Sequence, residues 1–107
     1  MELHILIVDD DKRLLSTLTG VMREEGHRVV PCDNGLDAIR KCREERFDLI
    51  LTDLMMPGAS GLDVLRETRK VSPSTLVVLV TGFASLESAI EAIREGAYDY
   101  VAKPVKL

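Results

Sequence analysis

With 107 residues, 46% hydrophobic and 30% charged, the chain has the balance of one ordinary globular domain. No apolar run approaches the roughly 20 residues that span a bilayer, and Met1-Glu2-Leu3-His4 lacks the basic segment and long apolar core of a secretory leader. A net charge of −4, with the 14 basic residues scattered among acids, argues against a nucleic-acid-binding surface on this domain. Runs such as Arg43-Glu44-Glu45-Arg46 read as solvated helix faces. Cys32 and Cys42 have no metal-type spacing and read as reduced structural thiols of a cytoplasmic protein.

Leu3 to Val8 is a near-continuous apolar run, as expected of a strand buried on both faces, and it ends in Asp9-Asp10-Asp11. Asp11 reads as the cap of the helix that follows, whose apolar stripe is 14, 15, 18, 21 and 22 and whose end is Gly26. Arg28-Val29-Val30 is a short second strand, and Asp33-Asn34-Gly35 is a turn. Leu36, Ala38, Ile39 and Cys42 form one side of a second helix. Phe47 to Thr52 is the third strand; it stops at Asp53, and Pro57-Gly58 forces a turn. A third helix opens at Gly61-Leu62, points Leu62, Val64 and Leu65 inward, and stops at Val71-Ser72-Pro73. Leu76 to Val80 is a fourth strand ending in Thr81-Gly82. Leu86, Ala89, Ile90 and Ile93 mark an amphipathic helix closed by Gly96, and Ala97 to Ala102 is a fifth strand ending in Lys103-Pro104. Five strands alternating with four helices predict an α/β fold, a parallel sheet built from right-handed crossovers.

In such a sheet every strand's carboxyl end points the same way, and ligands bind there. Asp9-Asp10, Asp53, Thr81 and Lys103 all fall at those ends. Taken alone, Asp53 could as well open the turn or cap the next helix; the company it keeps favours chemistry. Clustered carboxylates repel, and a divalent cation relieves that repulsion. An all-oxygen donor set suits Mg²⁺ or Mn²⁺ better than zinc. His4, at the far end of its strand, and His27, in a turn, read as structural. An Asp beside a metal, a Lys and a Thr hydroxyl suits phosphoryl transfer: a carboxylate can attack phosphorus and hold it as an aspartyl phosphate.

The segments Ile5-Leu6-Ile7-Val8-Asp9-Asp10-Asp11, Asp48 to Asp53, Met56-Pro57-Gly58, Val80-Thr81-Gly82 and Gly96 to Pro104 resemble the receiver domain of two-component response regulators. The Gly-Ala-Tyr-Asp-Tyr ending looks like the nitrogen-regulation type, often coupled to an ATPase acting on an alternative sigma factor. The resemblance implies a flavodoxin-like doubly wound fold of strand order 2-1-3-4-5. It implies that Asp53 accepts phosphate from a histidine kinase, and that Asp9, Asp10 and the Met55 carbonyl bind Mg²⁺ with Asp53. Thr81 and Tyr100 would be switch residues, Lys103 would pair with the phosphate, and the Lys103–Pro104 bond would be cis. Such a domain is a phosphoacceptor switch with self-catalysed phosphotransfer and dephosphorylation rather than an enzyme, and it controls an output domain or partner. Met55 and Phe83 are bulky and apolar at positions flanking the route of an attacking water, which predicts a long-lived aspartyl phosphate.

The chain departs from the family in stopping at Val105-Lys106-Leu107, where a fifth helix normally follows. That predicts one receiver domain over 1–107, truncated before its C-terminal helix, with part of the apolar face of the first and third strands open and prone to association as a homodimer. Four readings compete with a phosphorylation switch feeding transcription. A receiver module of a hybrid kinase or phosphorelay would share these motifs, whereas a degenerate receiver serving only as a phosphorylation-independent interaction platform is argued against by the intact Asp9-Asp10 pair, Asp53, Thr81 and Lys103. An aspartyl phosphatase would carry an acid where Met55 stands, and a flavodoxin-like electron carrier would not place three aspartates after its first strand.

Overall fold

The computed structural model describes residues 1–82 and 85–104. Among the described residues five strands and four helices alternate: β1 His4–Val8, α1 Lys12–Glu24, β2 Arg28–Cys32, α2 Gly35–Glu44, β3 Leu49–Thr52, α3 Gly61–Val71, β4 Leu76–Thr81, α4 Leu86–Arg94 and β5 Asp99–Ala102. All strand pairs are parallel, in the order β2-β1-β3-β4-β5. The expected flavodoxin-like topology is therefore the one observed.

The helices begin where short polar side chains can bind free backbone N–H groups. Asp11 caps α1 by accepting from the N–H groups of Arg13 and Leu14, and Asn34 caps α2. Ser60 and Asp63 form a reciprocal capping box on α3. β2 runs two residues further than its sequence pattern predicts, through Pro31 to Cys32. It is an edge strand, where a proline interrupts no ladder bond. Along that edge the Arg23 guanidinium donates to the Val29 carbonyl at 3.0 Å.

Two apolar layers sandwich the sheet. On one face α1 packs Leu15 and Leu18 over Ile5, Ile7 and Val29. On the other, α2, α3 and α4 contribute Ala38, Cys42, Val64, Leu65 and Ala92 over Leu6, Val8, Ile50, Val77 and Leu79. On this face Leu49 and Leu51 of β3 are half-buried, whereas Ile5 and Ile7 of β1 are 1% exposed, so the opening expected at β1 is not seen among the described residues. Among the described residues α1 covers the β1 side with Leu15 and Leu18.

The apolar stripe of α4 is not its core face. Leu86, Ile90 and Ile93 are 77%, 42% and 52% exposed, and Ala92 is the residue of this helix that is buried. Leu36 of α2 also turns outward, at 65% exposure. Among the described residues no helix is long and apolar enough to cross a membrane. Both histidines serve structure: His27 Nδ1 accepts from the Leu3 N–H at 3.0 Å, and the His4 ring meets the Arg46 carbonyl and Glu45.

Candidate functional site

The parallel ladder extends one residue past the strands and so seats the polar side chains of their carboxyl ends. Asp9 N–H donates to the Cys32 carbonyl at 3.1 Å, and Asp53 N–H donates to the Val8 carbonyl at 2.9 Å. On the far side Lys103 N–H donates to the Thr81 carbonyl at 2.9 Å. Backbone hydrogen bonds from three different strands thus aim Asp9, Asp53 and Lys103 at one point.

Lys103 Nζ lies 2.9 Å from Asp9 Oδ2 and 3.5 Å from Asp53 Oδ2. Asp9 and Asp53 are 2% and 7% exposed, whereas Asp10 is exposed. Carboxylate oxygens of Asp9, Asp10 and Asp53 lie within 4.8 Å of one another, a grouping that could hold a metal ion. The other oxygen of Asp9 accepts from the Asp11 N–H at 2.8 Å, which fixes its rotamer. All donors here are hard oxygens, which fits Mg²⁺ or another hard divalent cation.

Thr81 is fully buried at the end of β4. Tyr100 is half-buried against the α2–α4 core layer, and its hydroxyl lies 2.7 Å from Ser88 Oγ. The Lys103–Pro104 peptide bond is cis. Met55 follows β3 with its side chain 54% exposed, and Phe83 lies outside the described residues. Gly61 opens α3 directly against the Asp53 carbonyl, where a Cβ would collide with that oxygen. Its N–H donates to the Leu54 carbonyl at 2.9 Å. The sequence pattern marked Gly61 as a helix start only; the turn at Gly58, whose φ is 78°, is what folds α3 back onto the end of β3.

Burial pushes the Asp53 carboxyl above its ordinary range, and the Asp9 charge adds to the rise; the Lys103 charge and the Leu54 N–H pull the other way without cancelling it. Burial alone would lower Lys103, but its hydrogen bond to Asp9 and the charges of Asp53 and Asp9 raise it overall. A carboxyl raised on folding destabilises the folded state as pH climbs through the unfolded value of about 4 and on through the folded one. Asp53→Asn is therefore expected to raise the melting temperature at pH 7 and to bring no gain near pH 3. Thermal melts of parent and variant at both pH values check this.

Comparison with known proteins now bears on the site. The profile of the family described as "Response regulator receiver domain" matches residues 5–107. "Transcriptional regulatory protein ZraR" from Klebsiella oxytoca is 39% identical over 104 residues, covering 97% of this chain and 24% of that protein. The crystal structure of a CheY-like response regulator receiver domain protein from Methanospirillum hungatei superposes with a TM-score of 0.93 at 34% identity, covering 96% of this chain and 82% of that one. A response regulator from Burkholderia pseudomallei, solved with a phosphorylated aspartic acid, a calcium ion and citrate, gives a TM-score of 0.91 at 29% identity, over 96% of this chain and 61% of that one. The chain belongs to the response regulator receiver domain family. It spans about a quarter of the length of the ZraR relatives that it matches.

Proposed function

We propose that this chain accepts a phosphoryl group on Asp53 from the phosphohistidine of a histidine kinase. The observation that carries the reading is a buried acceptor carboxylate set among two further aspartates with Lys103 Nζ at 3.5 Å. An Asp53 oxygen attacks phosphorus; a new P–O bond forms while the P–N bond to the donor imidazole breaks, and the imidazole nitrogen leaves with that electron pair. Mg²⁺ would be held by the carboxylates of Asp9, Asp10 and Asp53 and by the Met55 carbonyl, and it would neutralise charge on the phosphoryl oxygens. Lys103 meets another of those oxygens, and the Thr81 hydroxyl binds a third. Tyr100 responds to Thr81 and alters the α4–β5 surface, which signals to an output domain. The ZraR relatives, named as transcriptional regulators, support a role in transcription control.

Intact mass after incubation with acetyl phosphate and Mg²⁺ tests this. The expected result is one added phosphoryl group in the parent, and none in Asp53→Asn or without the metal. A folded parent that gains no mass would overturn the phosphoacceptor reading in favour of an interaction platform.

A further inference from the structure

Among the described helices α4 is the least buried. It sinks one residue, Ala92, into the core, whereas α3 sinks Val64, Leu65 and Thr68. The described contacts that fix α4 are polar instead. Arg66 of α3 reaches across with Nε 2.9 Å from Glu95 Oε2 and a second nitrogen 3.6 Å from Glu91 Oε1. Its remaining nitrogen lies 3.6 Å from Asp63 on its own helix. Glu91 and Glu95 stand one turn apart, so a single guanidinium spans the last turn of α4. At the other end of the helix, Ser88 holds the Tyr100 hydroxyl at 2.7 Å and also meets Ser85 Oγ at 2.8 Å. Exposed ion pairs are weak one at a time. Here one arginine gathers three carboxylates against a helix that has little packing to hold it.

We infer that Arg66 is a positioning residue for the chemistry at Asp53: by clamping Glu91 and Glu95 it holds α4, and through Ser88 the Tyr100 hydroxyl, in the resting arrangement. The inference rests on the reading of Asp53 as phosphoacceptor and of Tyr100 as its responder. A contact made only in the resting arrangement lowers the apparent affinity for anything that prefers the other one. Releasing the clamp therefore favours the phosphorylated arrangement without any change at the carboxylate cluster.

The test is a beryllofluoride titration in Mg²⁺, comparing the parent, Arg66→Ala and the charge swap Arg66→Glu with Glu95→Arg. Arg66→Ala is expected to bind about three- to fivefold tighter, the factor that an exposed ion-pair network supplies. Mg²⁺ affinity alone is expected to stay at the parent value, and the swap to return towards the parent. Equal or weaker beryllofluoride binding by a folded Arg66→Ala would overturn the inference. A parent that binds no beryllofluoride would instead overturn the phosphoacceptor reading. Hydrogen exchange of the α4 amides without ligand then judges the clamp by itself, with faster exchange in Arg66→Ala expected and unchanged exchange fatal to it.

Discussion

Lys103→Met is expected to slow phosphoryl transfer to Asp53 by about 10²- to 10³-fold, the usual cost of removing one preorganised donor to developing charge. The same substitution should tighten divalent-cation binding by about tenfold, because a metal entering the site no longer competes with a cation for Asp9. The geometry makes the opposite signs inseparable. Lys103 Nζ is closer to Asp9 Oδ2, at 2.9 Å, than to Asp53 Oδ2, at 3.5 Å. In this structure the lysine thus occupies the acidic cluster as its counter-ion. Without it two nearly buried carboxylates face each other and Asp10 unscreened, so the metal-free variant should also melt lower and regain part of that loss on adding Mg²⁺. Metal titration, acetyl phosphate kinetics and melting curves on one preparation check all three signs. Slower transfer with weaker metal binding would mean that the lysine merely holds the fold together.

Gly61→Ala is expected to cost about 3 kcal/mol, the upper range for overpacking, and to lower the melting temperature by about 10–20 °C. A Cβ at this position meets the Asp53 carbonyl oxygen, the Leu54 Cα at 2.9 Å and the Asp53 carbonyl carbon at 3.0 Å, all of them backbone. No side chain can swing aside to make room. Relief has to come from moving the start of α3 or the segment carrying Asp53, so the proposed phosphorylation should fall even at temperatures where the variant is folded. Gly20→Ala is the matched control. Nothing lies within 4 Å of a Cβ there, and the position is exposed inside α1. It should stabilise the protein by about 0.5–1 kcal/mol. Denaturant unfolding of the two variants beside the parent decides the matter, and equal stabilities would remove Gly61 from the site's construction.

Strand ends were the most legible part of the chain. Apolar runs that stop abruptly at Asp9, Asp53 and Lys103 reveal both the strands and the edge where polar groups meet. What the pattern does not encode is direction and reach. A spacing of i, i+3, i+4 and i+7 identifies a stripe on α4 but not which side meets the sheet. The small residue Ala92 makes the buried contact, and the larger Leu86, Ile90 and Ile93 face solvent. The Asp9–Lys103 pair and the Arg66 clamp join residues 94 and 25–29 positions apart, each depending on how far neighbouring elements are offset. Scattered charges gave no sign of either. Asp11, by contrast, is readable as a cap because its partners are the N–H groups two and three residues further along.

The outer rim of β2 has a consequence for how copies of this chain can meet. Pro31 offers no donor there, and the Val29 carbonyl is already taken by Arg23. A foreign strand arriving at that border would find a missing hydrogen and an occupied oxygen, so its main chain would lose water without gaining a full ladder. Fibrous, sheet-extending growth from this side is disfavoured by the strand's own chemistry. At this border, association of folded copies is left to side-chain contacts, which can be made and broken without disturbing the three interior strands.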